Sequence, residues 1–141
     1  MPSIVEESLG YLGQQTVSYV ATCEGGQPRV RAMMLLYIDG AFYYATGTRD
    51  AKVGQFMKNS KVEVCVLIGE GEDGGSLRLK GSMEFVTDTE TRRRVYECVG
   101  FTQSFWDDPQ HPDFTLLGFK PVHLQLMRPG TVEIVTSDIS I

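Results

Sequence analysis

This sequence is poor in the residues that usually carry chemistry or staple a small fold. Two histidines, three cysteines and one tryptophan are spread over 141 residues. With only His111 and His123 available, no Ser-His-Asp arrangement has support. Cys23, Cys65 and Cys98 are an odd set, too far apart for a chelating pair. That argues against a disulfide framework or a zinc site and leaves buried thiols as the default. No stretch approaches the roughly 20 apolar residues of a membrane span, and MPSIVEESLG lacks the charged-then-apolar order of a secretory leader. An excess of positive charge is also missing. The net charge of −5 and pI of about 5.0 speak against nucleic acid or an anionic membrane as the main partner. The expectation is a soluble, cytoplasmic protein, and an enzyme so short of reactive groups would need a cofactor to carry its chemistry.

What is present suits a β-rich globular chain: 42% hydrophobic residues and 15 glycines, with no internal repeat and no linker. Residues 1–141 fit one domain, which at this size buries about 70% of its unfolded surface. Ser3 and Glu6 form a capping box for an opening helix over 3–12 that ends at Gly13. Val17 to Cys23 and Arg29 to Ile38 read as a hairpin. Asp39-Gly40, the strongest two-residue hairpin signal, returns the chain along Ala41 to Ala45. Further strands are expected over 61–68 and 76–86, separated by an acidic Gly-rich loop. Thr87 and Glu90 form a second capping box, ahead of a helix presenting Val95, Cys98 and Val99, with Arg92, Arg93 and Arg94 as a solvated rim. Thr102 to Pro121 reads as a long irregular segment, and 122–127 with 131–135 as a closing hairpin. About seven mostly hairpin-linked strands and three helices suggest a closed or partly open barrel.

The stretch Tyr43 to Asn59 organises the functional reading. A strand end runs into Thr46-Gly47-Thr48-Arg49 and then a short helix on which Val53, Phe56 and Met57 share a face, with Asn59 as a left-handed C-cap. Backbone N–H groups and the positive end of the helix dipole gather at such a turn, and Arg49 and Lys52 add two cations. An anion site results. Equally, Thr48 or Asp50 is an ordinary N-cap and the cations are solvated. Asp50 repels an anion unless it is neutralised or points away. The 29–38 strand is apolar on both faces from Ala32 to Leu36, so a partner subunit or a flat aromatic ligand must cover its outer side.

Two other patterns carry less. Gly69-Glu70-Gly71-Glu72-Asp73-Gly74 matches G-x-G-x-x-G, but a strand follows it rather than a helix, and its three carboxylates repel a pyrophosphate. Asp107, Asp108, His111 and Asp113 cluster closely, yet their spacing matches a polar turn better than a metal site. His123 reads as a core or interface histidine within a strand.

The ordered set from Val17 to Val66, VSYVATC, the arginine-bearing strand, the D-G turn, YYATGT and the helix lysine, resembles the pyridoxamine 5′-phosphate oxidase-like split-barrel flavoproteins. This resemblance implies a mainly β, six- to seven-stranded antiparallel Greek-key split barrel with about three short helices. It also implies a homodimer with FMN in the cleft between subunits. Carried over by position, Arg31 and Lys52 would hold the FMN phosphate, with Thr48 as an additional donor. Ala32, Met33 and Met34 would run along the isoalloxazine ring, Ala45 and Thr46 would contact flavin and phosphate, and Ser76 would reach the FMN of the other subunit. The implied activity is hydride or electron transfer through flavin N5 to a small molecule, with no catalytic side chain and no metal. The alternatives are a flavin-binding electron carrier, or a relative that binds deazaflavin or haem or no cofactor. Asp50 stands where the family often has a hydroxyl residue, and Leu36 where the vitamin-converting oxidases place a substrate-gripping lysine. Their C-terminal Trp and Arg pair has no counterpart, so genuine pyridoxamine 5′-phosphate oxidation is not expected. The region of Phe105, Trp106 and Phe119 is the candidate for substrate selection.

Overall fold

The computed structural model describes residues 2–140. Three β-prone segments joined by tight turns start the sheet: β1 (Gln15–Glu24), β2 (Gln27–Ile38) and β3 (Ala41–Gly47). The turn between β2 and β3 has Asp39 at φ 53° and Gly40 at φ 77°, the left-handed pair that matches the twist of a hairpin. Strands β4 (Lys61–Ile68), β5 (Gly75–Phe85), β6 (Phe114–Met127) and β7 (Ile134–Asp138) follow. The described residues form one antiparallel sheet in the order β3-β2-β1-β4-β5-β6-β7, and an additional β3–β6 pairing closes the first six strands into a ring. Strand β6 joins the parts. Phe114 to Phe119 pair with β3, while His123 to Met127 pair with β7.

Alternation along the strands seals a barrel interior in which Val20, Val64, Leu77, Leu79, Leu124 and Leu126 are inaccessible to solvent. A polar pair there is satisfied. Ser18 Oγ lies 2.8 Å from both the Met33 carbonyl, to which it donates, and Tyr44 Oη. A second apolar cluster lies outside the ring, where α3 (Thr89–Cys98) and α4 (Gly100–Phe105) lay Val95, Tyr96 and Val99 on Leu36, Ile38, Phe114 and Leu116. This second cluster covers the outer face of β2 at Leu36 and Ile38. Ala32 and Met34 on the same face are exposed in the single chain.

Several sequence expectations change. The opening helix, α1 (Ile4–Leu9), stops at Gly10, not Gly13, although Ser3 does cap it by accepting from the Glu6 N–H at 3.1 Å. In α2 (Ala51–Lys58), Val53 and Phe56 are buried but Met57 is 71% exposed, and Asn59 is extended rather than left-handed. The cap of α3 is Asp88, whose carboxylate accepts from the Thr91 N–H, one residue past the expected Thr87. The segment 102–121 is far from irregular, since it holds most of α4 and the first half of β6. Pro121 is accommodated because the ladder shifts register opposite Lys80 and Gly81. There a Cβ on Gly81 would collide with the Lys120 carbonyl. Arg92 is no rim residue: its guanidinium donates to the Phe114 carbonyl at 2.8 Å and lies over the Phe114 ring. The thiols are not deeply buried either, with Cys23 exposed and Cys65 and Cys98 half-buried. No helix among the described residues is long and apolar enough to cross a membrane.

Candidate functional site

Strands β2 and β3 pair only from Leu36↔Tyr43 to Ile38↔Ala41. Beyond Tyr43, β3 continues on β6 while β2 stays with β1, so the two strands part at the level of Met34 and Ala45. An open cleft of about 420 Å³ lies at this divergence, within the usual range of small-molecule sites, roughly 300–1,000 Å³. Ala32, Met33 and Met34 of β2 line it together with Ala45, Thr46 and Gly47 of β3, and Phe101, Phe105 and Trp106 bring an aromatic wall from α4 and its end. Asp50, Lys52 and Asp113 supply its charges. Six of the residues singled out in the sequence, Ala32, Met33, Met34, Ala45, Thr46 and Lys52, therefore meet in one place.

The polar end of the cleft is the turn into α2. Asp50 occupies the N-cap position, but its side chain caps no backbone N–H. Its Oδ2 instead accepts from Thr46 Oγ1 at 2.8 Å and from Lys52 Nζ at 2.9 Å. The Lys52 bond, followed by the Thr46 bond, holds the Asp50 carboxyl below the usual aspartate range. A second carboxylate lies close by: a Cβ built on Gly47 would stand 3.5 Å from Asp113 Oδ2 and 3.7 Å from Asp50 Oδ2. Asp113 is held by Trp106 Nε1, which donates to Oδ2 at 3.3 Å, and by its own N–H, which donates to His111 Nδ1 at 3.0 Å.

Three further candidates lie elsewhere within the single chain. Arg31 points to the inner side of β2 beneath α2. There its guanidinium donates to the Val20 carbonyl, to Thr22 Oγ1 at 2.9 Å and to Gln55 Oε1, and burial lowers its pKa from the ordinary arginine value. Thr48 stitches the turn to the 107–113 loop. Its N–H donates to the Asp113 carbonyl and its hydroxyl to the Pro112 carbonyl, with Thr115 Oγ1 at 2.6 Å. Ser76 lies on β5 opposite Leu67. Continuing the registers through Val17↔Met34 and Tyr19↔Cys65 puts Met34, Val17, Leu67 and Ser76 in one row on the outer face, with Ser76 three strand spacings, about 14 Å, from Met34.

That outer face is apolar and uncovered. Val17, Tyr19, Val30, Met34 and Leu67 are all exposed on it. Phe101 reaches the cleft although no sequence pattern marks it, and Asp113, read from the sequence as part of a polar turn, joins Gly47 there because β3 pairs with β6. Gln55, the partner of Arg31, is equally unmarked. Phe119, by contrast, is sealed in the barrel against Phe42 and does not face the cleft. His123 is partly exposed and sits 2.9 Å from Asp138 on β7, and among the described residues no group of His, Cys, Asp or Glu could hold a metal ion.

The family model for pyridoxamine 5′-phosphate oxidase matches residues 4–128. No functionally curated protein sequence matches the chain. Among solved structures, a NimC/NimA family protein from Clostridium acetobutylicum is 25% identical, with a TM-score of 0.77 over 94% of this chain and 90% of that one. General Stress Protein 26 from Bacillus anthracis is 18% identical, with a TM-score of 0.74 over 94% and 98%. A heme binding protein from Mycobacterium smegmatis shares the fold at 14% identity, with a TM-score of 0.81 over 98% of this chain but 59% of its own length. With the family pattern running through all seven strands but β7, this chain belongs to the pyridoxamine 5′-phosphate oxidase family.

Proposed function

We propose that the chain is an FMN-dependent oxidoreductase acting on a small molecule, with the flavin bound in the β2–β3 cleft and a second copy of the chain closing it. The observation that carries this reading is the meeting of Ala32 to Met34, Ala45, Thr46 and Lys52 in one cleft beside an uncovered apolar sheet face. The lining fits the ring of the group. A flat heteroaromatic ring needs an apolar wall and an open strand edge, and β2 supplies both where it has left β3. Thr46 and Lys52 stand at the polar end, where a phosphate would lie, but both are bonded to Asp50, so the ring and its apolar walls carry the fit.

A bound flavin would supply two-electron chemistry that no side chain here can perform. The chain's own contribution is positioning and exclusion of water. Met34 gives a polarisable apolar floor, and the Phe101, Phe105 and Trp106 wall limits what can lie over the open side. The rows of Val17, Tyr19, Val30, Met34 and Leu67 favour burial against an identical face, which would bring the Ser76 of one copy towards the cleft of the other. Neither histidine lines the cleft, which favours a flavin over haem, for which an axial ligand would be needed.

The test is the visible absorption spectrum of the protein as purified and after loading with excess FMN, followed by heat release and mass identification of the chromophore. Flavin bands with FMN in the released fraction are expected. A protein that takes up no flavin, or that shows a haem spectrum, would overturn the assignment.

A further inference from the structure

The Asp50 carboxylate accepts from the Thr46 hydroxyl at 2.8 Å and from the Lys52 ammonium at 2.9 Å, so the two side-chain donors that an anion at this end of the cleft would use already face an internal anion. Asp113 lies by the same side of Gly47 and adds a second negative charge. Arg31, a further expected cation, is turned away beneath α2. Among the described cleft residues the charges are thus two carboxylates and one ammonium.

We propose that Asp50 is a specificity-determining residue that suppresses recognition of phosphate monoesters by occupying the Thr46–Lys52 cradle. The inference rests on the flavin reading only for the natural ligand; the cradle itself is present whatever binds. A phosphate entering here must take the Thr46 hydroxyl from the carboxylate and share the Lys52 ammonium with it, a dianion set beside an anion, so the phosphate adds little to affinity. Binding then depends on the ring and its apolar walls, and FMN and its dephosphorylated form riboflavin should bind almost alike. The opposite role for Asp50, orienting Lys52 towards a phosphate, predicts the reverse effect of removing its charge.

Asp50→Asn and Asp50→Ser are suitable variants because the side chain is half exposed and makes no capping bond, so the fold should survive. Inorganic phosphate is titrated first, followed through the backbone amide resonances of residues 46–53. Flavin fluorescence quenching with FMN and riboflavin follows. Phosphate affinity should rise at least about tenfold in both variants, and the preference for FMN over riboflavin should rise by a similar factor, equivalent to about 1.4 kcal/mol, with riboflavin unchanged. Unchanged or weaker phosphate binding in the variants would overturn the role of Asp50 whatever the flavins do. Tighter phosphate binding with no quenching by either flavin would uphold that role and remove the flavin assignment alone.

Discussion

The two faces of the β2-β1-β4 segment are made from alternate residues of the same strands, yet they differ completely in what covers them. Inward, Val20, Met33, Leu35 and Val64 are sealed in the barrel, and Ser18 and Tyr44 satisfy each other. Outward, Val17, Val30 and Leu67 are 54%, 70% and 63% exposed although equally apolar. Strand propensity is the same on both sides, so it cannot account for the outer residues. The inner face explains why the chain folds, and the outer face, which ends at the cleft, is the one that the proposed flavin and second copy would cover. Contiguous exposed apolar surface of this kind marks a binding interface.

The largest effects should come from breaking the inner face. Leu79→Ala, at a position with no solvent contact, should lower stability by about 2–5 kcal/mol in urea unfolding. Tyr44→Phe removes one hydrogen bond but leaves Ser18 Oγ bonded to the Met33 carbonyl, and should cost about 1 kcal/mol by the same measurement. On the outer face, Met34→Glu should change the unfolding of the isolated chain by no more than about 0.5 kcal/mol. Its effect should appear instead in sedimentation, as conversion of a dimer to monomers, and in loss of flavin uptake.

The smallest expected effect is electrostatic. Arg128 holds the Glu7 carboxyl below its ordinary value of 4.5, and Lys52 with Thr46 holds Asp50 below 3.8. Both groups are depressed on folding, so their contribution is complete above those ordinary values and fades as the pH falls through the lower folded ones. The urea midpoint should therefore hold steady from pH 7 to about 5 and drop below about 4. A Glu7→Gln variant should lose part of that drop.

Much of the fold was legible where neighbours in sequence are neighbours in space. The β1-β2-β3 meander follows from alternating β-prone runs and from Asp39-Gly40, and the cleft residues of β2 and β3 follow from the same stretch. Legibility failed where distant partners decide. Pro112 and Pro121 disguise β6, which forms because β3 and β5 flank it and Gly81 makes room for Pro121. Arg31 has the residue type of a phosphate ligand, but strand alternation turns it inward to Gln55 on α2, and the sequence does not tell which strand that helix covers. The sequence places Asp50 beside the turn, but its engagement with both Thr46 and Lys52 depends on side-chain directions that spacing alone does not give.

The most direct test of the account is a fluorescence titration of FMN into the wild-type chain and Met34→Glu, with the oligomeric state measured on the same samples. Saturable quenching by the wild-type dimer, lost together with dimerisation in the variant, is the predicted result. Equal quenching by a monomeric Met34→Glu chain, or none by the wild type, would contradict the assignment of the cleft and its uncovered face to one flavin site.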